Sequence, residues 1–482
     1  MKIVRAQLAK ALVVVLLAIA AGCNFAPHYV RPSVETAPFY KENPGTNDTA
    51  TNIWQVAQPR DDAIRSNWWV LFNDTNLDAL ESQIAISNQN VMAAFKNYVV
   101  AHEEVREAQA QYYPTLTGMP SLTRQRQYSG GFQLLNPNLT TYDLPLDGSW
   151  QPDFWGRVRN TVRSAAAQAQ ASAADLENTK LTAQAELASD YFQLRGQDAL
   201  IQLYEDTIVA YSNTLSLTHV LFINGIDSRI PVVQAETQLQ TTEAEATNLR
   251  ILRAQLEHAI AVLMGKPPES FAIPFSPLAA TPPQIPAGIP SQLLERRPDI
   301  AAAERAVASA NAEIGVARAA FFPNITLSAS GGFESPTAAS LLKWSSRVWS
   351  IGASASQPIF NAGLFPAVVQ FKATYDADVA EYRQTVLTAF QGVEDNLAAL
   401  RILQVQVHEQ ENAVNTSQDY VNLAVYDFKL GIDSYLDVIT AQTTLLANRQ
   451  MLVTIHVQQM EDAVTLVEDL GGGWAASQLP KN

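Results

Sequence analysis

The sequence has a single cysteine, Cys23, among its 482 residues. No disulfide can form within one chain, so covalent cross-links are excluded as a source of stability. Charge is sparse: 16% of residues are Asp, Glu, Lys or Arg, against 47% hydrophobic, and the net charge is −15. That is too apolar for a disordered chain. A surface of this sign repels nucleic-acid phosphates, so no nucleic-acid partner is expected. No stretch approaches the roughly 18 consecutive apolar residues that a membrane helix needs. If such a chain crosses a bilayer it must do so as strands in a closed barrel, where every backbone group is satisfied. Enzymatic signatures are missing too. The six histidines, His28, His102, His219, His258, His408 and His456, show no metal-ligand spacing. There is no HExxH motif, phosphate loop or nucleophile elbow. His102-Glu103-Glu104 reads as a solvated helical face. No catalytic residue, no metal and no diffusible cofactor is expected.

What is present begins with a targeting segment. Lys2, Arg5 and Lys10 precede a short apolar run, Ala11 to Ala20, followed by Ala20-Ala21-Gly22-Cys23. The run is too short to span a bilayer and has the plan of a signal peptide. Its cleavage would take the net charge from −15 to −18. Cys23 directly after the small residues resembles a bacterial lipobox, which implies a diacylglycerol on the thiol and an N-acyl group. Asn24 in the next position, where Asp favours inner-membrane retention, points to the outer membrane. Each buried acyl methylene contributes about 0.8 kcal/mol to such an anchor. From Cys23 to about Arg60 the chain is rich in Pro, Thr, Asn and Glu and reads as an extended arm with little core of its own.

The most informative feature is a duplication. Phe222-Ile-Asn-Gly225-Ile-Asp-Ser228 matches Phe428-Lys-Leu-Gly431-Ile-Asp-Ser434, 206 positions later. Val232, Ala235, Thr237 and Leu239 match Val438, Ala441, Thr443 and Leu445, and Gln151-Pro152 matches Gln357-Pro358, at the same 206. Tyr112-Tyr113-Pro114 matches Phe321-Phe322-Pro323 at 209.

Each copy has one plan. A helix, Leu77–Gln111 or Pro298–Ala320, ends at a Pro that removes a donor. Two short strands follow, in which apolar and polar residues alternate, as in Ile325–Ser330, Ile351–Ser356 and Thr141–Trp150. That alternation puts one face to lipid or core and the other to water. Gly130-Gly131 and Gly331-Gly332 are expected at or just beyond strand ends. Then come very long helices, Gly156 to Asn224 and Ala367 to Leu430, each free of Pro and each about 100 Å long at 1.5 Å per residue. Helices of that length must pack beside others. Gly225 and Gly431 stop them, and return helices Val232–Met264 and Leu436–Asp469 complete two hairpins. Four strands cannot close around water, and an open edge inside lipid is forbidden. Several copies must pool strands, and three copies give twelve.

These landmarks resemble the outer-membrane factor family, TolC-like and of the NodT lipoprotein type. The resemblance covers nearly the whole mature chain. It rests on Trp68-Trp69-x-x-Phe72-x-Asp74, Trp150-x-x-Asp153-x-x-Gly156-Arg157, Tyr191-Phe192-x-Leu194-Arg195-Gly196, His258-Ala-x-Ala261-x-Leu263-x-Gly265-x-Pro267, Arg297-Pro298-Asp299 and Leu470-Gly-Gly-Gly-Trp474. It implies a mainly α protein with a membrane β-barrel: a homotrimer with a 12-stranded barrel on a long periplasmic α-helical barrel. It further implies a periplasmic adaptor and an inner-membrane RND transporter as partners. The expected organisation is a signal peptide over 1–22, a lipidated arm over 23–75, repeats over 76–290 and 291–470, and a tail over 471–482.

In this family the hairpin tips shut the tunnel. Here these are Gly225–Pro231 and Gly431–Thr440, with Asp433, Tyr435, Leu436, Asp437 and Thr440 as gate candidates beside Asp227 and Arg229. Carboxylates around a threefold axis favour cations, and Leu or Tyr narrows the bore. Arg229 is placed to pair with an Asp of a neighbouring tip. Two positions depart from the family: Thr440 is often Asp, and Pro231 stands where the second copy has Asp437. The aromatics Tyr128, Phe132, Tyr142, Trp150, Phe154, Trp155, Trp344, Trp349 and Phe360 are expected at interfacial girdles or in protomer packing. The expected function is a passive efflux duct for drugs, solvents or metals. Two alternatives stay open: a duct for type I protein secretion, and a coiled-coil lipoprotein without a pore, which has no use for duplicated strands.

Overall fold

A computed structural model describes residues 24–37, 40–42, 67–126, 138–279, 281–283, 285 and 294–480. Cys23, the signal segment, Tyr128, Gly130, Gly131 and Phe132 lie outside the described residues.

Both copies follow the same order. The first contains α1 (Thr75–Ser87), α2 (Gln89–Ala110), β1 (Thr115–Gly118), β2 (Ser121–Arg126), β3 (Asn138–Trp150), α3 (Arg157–Ile223) and α4 (Ile230–Leu263). The second contains α5 (Pro298–Ala319), β4 (Asn324–Ser335), β5 (Arg347–Ser356), α6 (Leu364–Lys429) and α7 (Tyr435–Asp469). The two long helices have 67 and 66 residues, each about 100 Å of continuous rod.

The single helix expected over Leu77–Gln111 is two helices. Asn88 breaks it: its backbone is extended and its side-chain Oδ1 accepts from the backbone amides of Asn90 at 2.9 Å and Val91 at 3.1 Å. Its amide group donates to the Leu263 carbonyl at 2.9 Å. Asn88 thus caps α2 and pins it to the end of α4, which outweighs continuing the helix.

The sheet is antiparallel, with β1 and β2 both on β3, then β4, then β5. The expected first strand is split at Met119-Pro120, because Pro120 has no amide to donate. The two copies join through β3 and β4, from Tyr142 opposite Ser335 to Trp150 opposite Leu327. Gly331 and Gly332 are not at a strand end. They lie inside β4, opposite Leu146 and Pro145. A Cβ on Gly332 would stand 2.3 Å from the Leu144 carbonyl oxygen, so close strand approach requires glycine there.

The helices pack through small residues. On α3, Ala166, Ala167, Ala169, Ala171, Ala173 and Ala174 are buried, and a Cβ on Gly196 would meet Val457 of α7 at 2.3 Å. A large core joins Trp68, Phe72, Leu77 and Ile84 to Tyr191 and Phe192 of α3, Ile260 of α4 and Val464 of α7. The described part of the arm inserts Tyr40 into a second cluster with Ile300, Val307, Tyr382 and Val386. Among the described residues no helix is long and apolar enough to cross a membrane.

Candidate channel lining and gate

Strand pairing assigns the two faces of the sheet, because residues directly opposite in register point to the same side. One face carries Leu116, Leu122, Tyr142, Leu144, Leu146 and Trp150 of the first copy. In the second copy it carries Ile325, Leu327, Ala329, Phe333, Trp349 and Ile351. The other face carries Thr115, Thr117, Thr123, Asp143, Asp147, Thr326, Ser328, Ser330, Glu334, Ser350 and Ser354. The apolar face is not buried: Trp349 is 78% and Ile351 79% exposed. An apolar outside backed by hydroxyls and carboxylates is the pattern of a strand set between lipid and water. The sheet has two free edges, β1 with β2 on one side and β5 on the other.

Of the expected girdle aromatics, Tyr142, Trp150 and Trp349 stand on the apolar face, and Trp344 and Phe360 are exposed nearby. Trp155 turns inward. Its indole donates to the Pro323 carbonyl at 2.7 Å, and its ring stacks on Phe322 at 5.1 Å.

At the opposite end of the long helices the two hairpin tips are built alike. Gly225 and Gly431 have φ of +70° and +72°. The Ile226 amide donates back to the Leu221 carbonyl at 2.9 Å, and the Ile432 amide to the Asp427 carbonyl at 3.0 Å. This is the Schellman closure, and the left-handed backbone explains why both repeats keep glycine. Asp433 and Arg229 are exposed, and among the described residues neither forms an ion pair. Leu436 is 60% exposed. Asp437 is half-buried and accepts from the Ser434 hydroxyl at 2.7 Å, closing the first turn of α7. Asp227 accepts from the Ser228 amide at 2.6 Å, and the Thr440 hydroxyl donates to the Leu436 carbonyl at 2.8 Å. Tyr435 is 4% exposed and packs on Phe428 with ring centroids 5.4 Å apart, so in this conformation it helps hold the tip together. The two hairpins are stitched side by side near the tips, where the Gln442 amide group donates to the Thr214 hydroxyl at 3.0 Å.

Between the sheet and the tips lies a charged knot that sequence reasoning missed. The Asp198 carboxylate is fully buried and accepts from Arg253 at 2.7 Å, from the Ser276 amide at 2.9 Å and from Arg195 at 3.3 Å. Arg195 also donates to the Pro274 carbonyl at 2.7 Å, and Arg253 to the Ile273 carbonyl at 2.9 Å. The Ile273 amide donates to Glu257 at 2.6 Å. The knot straps the linker after α4 onto α3 and α4. A second charged cluster, at the start of α5 and the end of α7, has Arg297 on Asp299 at 2.7 Å and on Asp469 at 2.8 Å. Close to these knots, burial pushes Asp190 up to about 6, helped by Glu186 and Glu461. Burial raises Glu461 and Glu468 as well.

Residues 80–266 and 289–472 match the family model described as outer membrane efflux protein. The toluene efflux pump outer membrane protein TtgC of Pseudomonas putida is 32% identical over 457 residues, covering 94% of this chain and 93% of that protein. The solvent efflux pump outer membrane protein SrpC of Pseudomonas putida is 30% identical over 478 residues, covering 97% and 99%. The solved structure of the outer-membrane channel OprN aligns with a TM-score of 0.85 at 28% identity, covering 94% of this chain and all of that one.

Proposed function

This chain belongs to the outer membrane efflux protein family and works in the outer membrane as part of an efflux pump; we propose that it does so as a homotrimer whose strands close a 12-stranded barrel above a periplasmic helical barrel. The observation that carries this reading is the sheet itself. Its apolar face suits lipid, its opposite face is lined with hydroxyls and carboxylates, and both edges are open. Hydrocarbon tolerates no open edge, so copies must pair edge to edge. Helix α6 exposes Phe365, Val369, Leu387, Ile402 and Val405, and α2 exposes Phe95 and Val100. An apolar surface of this extent calls for neighbouring copies. Purified protein is expected to form threefold particles that conduct ions across planar bilayers. A monodisperse, folded single chain would sink the proposal.

The duct is passive. A periplasmic adaptor seals it to an inner-membrane RND transporter that supplies the energy, and no bond is made or broken in this chain. The cargo is small molecules: drugs, solvents or metals. The names of TtgC and SrpC favour solvents among these. A lipid on Cys23 completes the anchoring. The Asn24 side chain accepts from Asn160 at 3.0 Å, and Phe25 stacks on Phe322 at 4.2 Å, both where the helices meet the strands. Both contacts lie at the sheet end of the helices, which supports an acyl anchor at this end of the molecule. Cys23→Ser is expected to abolish incorporation of radiolabelled palmitate; undiminished labelling would remove the anchor.

The gate is assigned to the tips, with Asp433 and Asp437 facing the threefold axis, Leu436 narrowing the bore, and Arg229 latching onto a neighbour's carboxylate. Asp227 and Thr440 shape the tips on either side. An exposed pair of this kind contributes up to about 1 kcal/mol, or about fivefold in the closed population. The double variant Asp433→Asn/Asp437→Asn is expected to raise single-channel conductance several-fold and to lower cation preference. If both quantities stay unchanged, these carboxylates are not in the gate.

A further inference from the structure

Charge on the strands is segregated by sign. Among the described strand residues the acidic groups, Asp143, Asp147 and Glu334, all lie on the polar face. The cationic ones, Arg124, Arg126 and Arg347, all lie on the apolar face. Arg124 and Arg126 continue the line of Leu122 along β2, and Arg347 lies two positions beyond Trp349 on β5. All three stand at the strand ends remote from the helices, because α2, α3, α5 and α6 all join the sheet at its other end. With the helical body in the periplasm, these ends face the cell exterior.

An arginine on the lipid-facing side is tolerated only near an interface, where its head can reach water or headgroups. Among the described residues no carboxylate pairs with any of the three. The Arg347 guanidinium lies over the Trp344 ring at 2.9 Å from its centroid and donates to the Trp344 carbonyl at 2.9 Å. Its nearest acidic strand neighbour, Glu334, points to the opposite face. The indole holds this cation in place without neutralising it.

We propose that Arg124 and Arg126 of one copy and Arg347 of the next form a cationic site for the phosphate groups of the outer-leaflet glycolipid. The site is composite because β2 and β5 are the two free edges of the sheet. It rests on the closed-barrel reading, in which the β2 edge of one copy meets the β5 edge of its neighbour. Each seam between copies then carries one site, and a lipid bound there bridges two chains at the place where the barrel has no covalent continuity. The glycolipid is favoured over glycerophospholipid because all three arginines sit at the exterior end, in the leaflet where phosphorylated glycolipid is found.

The test uses the full-length lipidated oligomer in phosphatidylcholine nanodiscs doped with bisphosphorylated lipid A, dephosphorylated lipid A or phosphatidylglycerol. Native mass spectrometry counts retained lipids and chains together. The unaltered protein is expected to retain bisphosphorylated lipid A over its dephosphorylated form by at least tenfold, at about fivefold per arginine. Arg347→Gln alone, and Arg124→Gln/Arg126→Gln alone, should each lose most of that preference while the particle keeps its number of chains. Equal retention of the two forms of lipid A overturns the proposal, as does a preference that neither variant reduces. Phosphatidylglycerol retained as well as lipid A overturns the assignment to glycolipid. A single chain per particle defeats the closed-barrel reading itself, an outcome the same spectrum separates from the others.

Discussion

Replacing Asp198 with alanine is expected to destabilise the folded protein by roughly 3–5 kcal/mol, the usual cost of removing one partner from a buried ion pair. The carboxylate is fully buried, and Arg195 at 3.3 Å and Arg253 at 2.7 Å both point at it. Without it, two guanidinium groups stay in a low-dielectric site with one charge partner between them, Glu257, at 3.5 Å from Arg253. The amide of Ser276 also loses its acceptor. In thermal unfolding the midpoint should fall by about 3–5 degrees. The linker after α4 should become the first site of protease cleavage, because its straps run through the same knot. Adding Arg253→Ala to the variant should recover part of the loss, since one stranded charge is then gone. The exposed pair of Arg250 and Glu205, 3.5 Å apart, supplies the contrast. Breaking it should change little. Equal effects at the two pairs would show that burial is not what makes the knot matter.

Gly471→Val is expected to be still more damaging, leaving little folded protein in the outer membrane. Gly471 has φ of +88°, and a Cβ there would stand 2.1 Å from the Arg296 carbonyl oxygen. The left-handed backbone alone costs a non-glycine residue about 1–2 kcal/mol. The overlap is with main chain, which cannot swing aside as a side chain does. Here α7 ends and the chain turns under the start of the second copy, with Gly472 and Gly473 also at positive φ. Gly331→Ala is the matched control: nothing lies within 4 Å of its Cβ position, so folded yield should be nearly unchanged. Comparable yields for the two variants would refute the packing argument.

Much of this architecture was legible in the sequence because the repeat shows it twice. The 206-residue offset between Phe222 and Phe428 placed both hairpin tips, and the observed helices end within a few residues of the expected positions. Gly225 and Gly431 read as helix stops because only glycine takes positive φ without strain. The break at Asn88 was not legible. Ser87, Asn88 and Asn90 are weak helix formers that suit a cap or a solvated helical face alike, and the Leu263 carbonyl 175 residues away favours the cap. The packing of Tyr435 was not legible for a related reason. An aromatic at a tip is equally able to face a bore or the helix beside it, and Phe428 decides between them. The knot around Asp198 joins residues on three separate segments, and no short motif announces it.

By itself the sequence determined which segments are rods, which are strands, where each turns back, and that one sheet face is greasy and the other wet. Those properties follow from spacing and residue type along a single segment. Only the tertiary structure decided which carboxylate is stranded from water, which tip residue is core, and that the arginines of β2 and β5 share the lipid-facing side. Such properties depend on what lies across a register or a helix interface, and burial and facing are relations between segments that no one segment contains.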